Sequence, residues 1–136
     1  MHTKIENGMI VLGNNTTAIL NEHLEELKKE YQHLDVNVSP ELRREYEEVL
    51  FALRRRIQSA GIVLRRKLRY HGRLLEQYEK RPRWWPRRES SGENIHESDF
   101  YMREIKDLEF DIERRYCEIK MLRCRRQCLV RALKRY

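Results

Sequence analysis

SPELRREYEEVLFALRRRIQSAGIVLRRKLRYHGRLLEQYEKRP, residues 39–82, decides the fold. It opens on Ser39-Pro40-Glu41. The serine hydroxyl can accept from free amides, the proline sits where a helix needs no N–H, and the acid lies in the first turn. It closes at Pro82, which disfavours helical geometry at Arg81. Between these ends Leu42, Tyr46, Val49, Leu53, Ile57, Ala60, Leu64, Leu68, His71, Leu75 and Tyr78 recur at three- and four-residue steps. That spacing lays one apolar seam along one side of a helix. A helix over residues 40–80 is predicted, with Gly61 as its weak point, worth roughly 1 kcal/mol against the helix relative to Ala.

Downstream, a basic tip over 81–94 holds Arg81, Arg83, Trp84, Trp85, Arg87 and Arg88. A second long helix is predicted over 95–135, capped by Asn94 with Glu97 reaching back. Its seam is Tyr101, Ile105, Leu108, Ile112, Arg115, Ile119, Leu122, Arg126, Leu129 and Leu133. Each long helix has about 40 residues, roughly 60 Å at 1.5 Å per residue. Matched lengths joined by one loop predict a hairpin. Laid antiparallel, Leu42 meets Leu133, Leu53 meets Leu122, Ile57 meets Ile119, Leu64 meets Ile112 and Leu68 meets Leu108. Arg115 falls beside Ala60 and Gly61, a large side chain against small ones.

Charge supports the same register. Residues 1–53 carry 5 basic and 10 acidic side chains, net −5, and residues 54–96 carry 13 and 4, net +9. Residues 97–113 carry 2 and 7, net −5, and residues 114–136 carry 9 and 1, net +8. Folding the long helices back to back sets the basic stretch beside the acidic one. Exposed pairs contribute only about 0–1 kcal/mol each, but they select orientation.

Upstream, a shorter helix is predicted over 16–35, capped by Thr16 or Thr17, with Leu20, Leu24, Leu27, Tyr31 and Leu34 as its seam. Asp35-Val36-Asn37-Val38 breaks it from the next. Residues 1–15 form an N-terminal arm, extended or loosely ordered. The expected class is therefore all-α: a long antiparallel helical hairpin (coiled coil) with a shorter N-terminal helix packed on its base, one domain over 16–136.

The chain has 136 residues, 38% charged and 40% hydrophobic, with a formal net charge of +7. No run approaches the roughly 20 apolar residues of a membrane span. Met9-Ile10-Val11-Leu12 is too short for the core of a signal peptide. Three cysteines in one helical segment fit reduced thiols, so an intracellular address is expected, cytoplasm or cytoskeleton or nucleus.

Three features bear on function. Phe110, Cys117, Met121, Cys124 and Cys128 form a second apolar stripe nearly opposite the seam of the last helix. One neighbour cannot cover both. Either the short first helix covers this stripe, or a protein partner or second copy does. Cys-x6-Cys-x3-Cys matches no usual zinc spacing, and neither metal nor cofactor is expected. Arg123 and Arg125 beside Cys124 are able to lower its pKa, although small apolar packing is the plainer reading. Second, Trp84 and Trp85 suit a partner's pocket, a base stack or a membrane surface. Third, Arg65, Arg66, Lys67 and Arg69, with Arg81, Arg83, Arg87 and Arg88 of the tip, suit phosphates; within a hairpin, many would instead pair with the facing helix. Lys80-Arg81-Pro82-Arg83 resembles a minimal nuclear import signal, and Arg87-Arg88-Glu89-Ser90 a basophilic kinase site.

There is no glycine-rich phosphate loop, His-Glu-x-x-His or nucleophile elbow. The expected function is non-enzymatic: a coiled-coil scaffold or adaptor subunit of a larger assembly with helical protein partners. The alternative is a nucleic-acid binder using the arginine-rich half of the hairpin and its tip.

Overall fold

The computed structural model describes residues 2–34, 39–80 and 92–134, with side chains left out over 92–99. Its elements in order are β1 (Lys4–Glu6), β2 (Met9–Val11), α1 (Asn14–Gln32), α2 (Pro40–Glu79) and α3 (Gly92–Lys134). Helix dominates, as expected of an all-α chain. The break at 35–38 and residues 81–91 of the tip lie outside the described residues, while 92–94 of the tip belong to α3.

α2 starts as its sequence dictates. The Ser39 hydroxyl accepts from the Leu42 amide at 3.1 Å, Pro40 stands at the first position, and Lys80 closes the other end. The helix runs unbroken through Gly61. α3 starts two residues upstream of the expected cap, so Asn94 lies inside the helix and does not begin it.

α3 is the element against which both other helices pack. Along α2 the polarity is opposite. Arg43, near the start of α2, donates to the Leu133 carbonyl at 3.0 Å, near the end of α3. Farther along, Arg56 pairs with Glu118 at 3.1 Å and Lys67 with Asp111 at 2.6 Å. Two apolar clusters fill the contact. The lower holds Leu50, Leu53, Ile57, Leu122, Leu129, Ala132 and Leu133, with Tyr31 and Leu34 from the end of α1 and beyond against it. The upper holds Leu64, Leu74, Ile105, Leu108, Ile112 and Ile119. Ile112 and Leu129 are wholly shielded from solvent.

Two seam positions differ from expectation. Leu50 is buried where Val49 was expected, and Leu74 more deeply than Leu75. A straight helix drifts about 20° per heptad against a strict repeat, so neighbours on the shoulders of a seam trade places. Arg115 also departs: it turns back to Asp111 on its own helix at 3.1 Å, and the space around Gly61 stays open. Its guanidinium finds a carboxylate there that the α2 backbone does not offer.

The N-terminal arm, expected to be extended or loosely ordered, takes the extended form. It folds as a β-hairpin, Lys4 opposite Val11, Ile5 opposite Ile10 and Glu6 opposite Met9. Asn7 and Gly8 make the two-residue turn with φ of 51° and 76°. Both positive values are what a type I′ turn needs, and Asn-Gly is the pair that tolerates them. Ile5 buries itself in the upper cluster, with Ile10 against it. α1 then begins at Asn14, earlier than Thr16, and no side chain caps it. The Thr3 hydroxyl instead accepts from the Gly13 amide at 3.0 Å, tying the arm to the helix start.

Candidate interaction surfaces

α1 runs along the second stripe of α3. Thr16 donates to Glu113 at 3.2 Å, and Leu20 and Leu27 are its buried positions. Cys117, Cys124 and Cys128 are free thiols, all half-buried. Burial raises the Cys117 pKa, with the Glu113 carboxylate adding to it. Burial also raises that of Cys124, with Cys128 second. The shift is upward despite the flanking Arg123 and Arg125, because burial disfavours the thiolate, in line with the plainer reading of small apolar packing.

The stripe is not wholly covered. A shallow groove of about 530 Å³ remains between α1 and α3, walled by Ile19, Leu20 and His23 on one side and Arg114, Cys117 and Met121 on the other. Ile19 is 56% exposed. Phe110, two turns above Cys117 on the same stripe, is 72% exposed. The other two cysteines line different openings: Cys124 beside Leu24 and Val130, and Cys128 beside Tyr31 and Gln32. Ile19 escaped the sequence reading because it adjoins the seam residue Leu20 and belongs to no periodic series of its own.

The basic candidates divide. Lys67 is not free: its ammonium meets Asp111, which also holds Arg114 at 2.9 Å and Arg115. These bonds, that to Lys67 foremost, hold the Asp111 carboxyl far below the ordinary range. Arg65, Arg66 and Arg69 are exposed and, among the described residues, without an ion pair. Trp84, Trp85, Arg81, Arg83, Arg87 and Arg88 lie outside the described residues.

His71 is the one buried polar side chain of the described core, 2% exposed. Its Nε2 has no hydrogen-bond partner and stands 3.6 Å from the Glu109 carboxylate. No described helix is long and apolar enough to cross a membrane. Comparison of the chain with protein-family models, curated proteins and solved structures finds no match.

Proposed function

We propose that the chain is a non-enzymatic adaptor, a subunit of a larger intracellular assembly. Its α2–α3 pair serves as an antiparallel helical hairpin of the coiled-coil kind. A helical protein partner docks on the face formed by Ile19, Phe110, Cys117 and Met121. The observation that carries this reading is Phe110, 72% exposed in line with an open apolar groove. Large apolar side chains gathered on one face mark interaction sites, and an amphipathic helix in a groove is a recurrent mode of recognition. The test is capture of the tagged chain from its native cells, comparing wild type with Phe110→Asp and Met121→Glu. Partners held by wild type and lost from both variants, at unchanged helicity, support the adaptor. A partner set identical in all three refutes this face.

A second reading is favoured by the exposed Arg65, Arg66 and Arg69, which lack carboxylate partners among the described residues. They suit a phosphate backbone, with the arginines of the tip adding to them. Binding of that kind weakens by orders of magnitude between about 50 and 200 mM salt when six or more phosphates are contacted. A complex persisting unchanged over that range would exclude it.

A further inference from the structure

We propose that the face of α2 turned away from α3 is self-complementary, and that a second copy of this chain docks on it antiparallel. Leu53, Ile57, Leu64 and His71 point α2 into the core. On the opposite side Phe51 and Ile62 are 63% and 39% exposed. They stand eleven residues apart, close to three helical turns, and so share one face. The Arg55 guanidinium lies 5.6 Å from the centre of the Phe51 ring.

The charges around this pair are separated along the helix. Glu41, Glu45 and Glu48 lie before Phe51, all exposed and, among the described residues, without ion pairs. No acid occurs from Val49 to Leu75. Arg65, Arg69 and Arg73 follow Ile62 at one-turn steps, exposed and equally unpaired among the described residues. The cations of this stretch that do find carboxylates, Arg56 and Lys67, reach across to α3.

One register pairs the unpaired acids with the unpaired arginines. With Phe51 set against Ile62 of the second copy, Glu48 meets its Arg65, Glu45 its Arg69 and Glu41 its Arg73. The two-fold axis repeats every pair, as an isologous interface requires. Arg44 falls opposite Arg69 in this register, flanked by Glu45 and Glu48. A nucleic acid would use only the basic part of the face and bring phosphates along the same helix as three free carboxylates. An antiparallel copy neutralises both parts. This surface is separate from the α1–α3 groove and stands independently of the partner proposed there.

The test is sedimentation velocity on the full chain over a concentration series at low and high salt. A monomer–dimer equilibrium is expected, with the dimer weakening as salt screens its charges. E41R/E45R/E48R and R65E/R69E/R73E, each alone, should raise the dissociation constant by about tenfold or more. Mixed together they should restore a one-to-one dimer. Because these positions are exposed, helicity by circular dichroism should stay at the wild-type level. If either triple variant loses helicity, Phe51→Asp replaces it and should dissociate the dimer while remaining folded. A chain that stays monomeric throughout overturns the proposal. So does a dimer indifferent to these changes, or a monomer that binds a DNA duplex through the same arginines.

Discussion

Replacing His71 by Leu is expected to stabilise the protein, although it removes the one charged-capable side chain of the described core. His71 is 2% exposed, and its Nε2 is buried without a partner. A buried polar atom left unpaired costs about 1–3 kcal/mol, because it gave up water and received nothing in exchange. The Glu109 oxygen at 3.6 Å is too far to accept a hydrogen bond. Leucine removes that cost, restores the apolar series of the seam, and loses less than about 1.5 kcal/mol to the change of shape. The midpoints of these two ranges leave a net gain of about 1 kcal/mol, which for a chain of this size raises Tm by roughly 3–5 °C. Urea unfolding followed by far-UV circular dichroism measures it as a rise in midpoint at constant slope. Glu109→Gln should stay within about 0.5 kcal/mol of wild type, as for a surface substitution. A loss of about 1 kcal/mol or more in His71→Leu, at unchanged slope, would refute the reasoning and show that Nε2 is satisfied in solution.

Asp111→Asn should cost about 1 kcal/mol at neutral pH, since it frees Lys67, Arg114 and Arg115 at once. The folded carboxyl titrates below its unfolded value of about 3.9, so its contribution is complete above that value and lost as pH falls through the lower folded one. The gap between wild type and variant should therefore close in acid, and a gap that widened there would contradict the assignment. Gly8→Val should cost about 1–2 kcal/mol, because a branched side chain is forced to a φ of 76°. The loss should appear first as faster hydrogen exchange at the Glu6 and Met9 amides, the hydrogen-bonded pair that flanks the two-residue turn; unchanged exchange would show that the turn tolerates the substitution.

The sequence disclosed the core because the core repeats. From Ile105 to Leu133, every apolar residue assigned to the α3 seam is buried, and Ser39-Pro40-Glu41 caps α2 as its chemistry requires. Both signals are local or periodic, and neither depends on a third element. What the reading missed depends on one. Leu50 outranks Val49 where Tyr31 and Leu34 join its cluster, and no period within α2 contains that fact. Asn7-Gly8 was a hairpin signal in plain view, but two three-residue strands have too little area to hold together alone. They persist because Ile5 reaches a core assembled by residues a hundred positions away. The surfaces were hardest to read. The second stripe of α3 was visible as a pattern, yet its two occupants, α1 below and open solvent at Phe110, differ only in how far a 19-residue helix extends. Charge behaves the same way. Lys67 and Arg66 are neighbours in a basic run, and one helical step of about 100° decides that the first meets Asp111 while the second faces outward. Side chains unsatisfied within the chain are the ones left to recognise something else, and only the packed structure separates them from the rest.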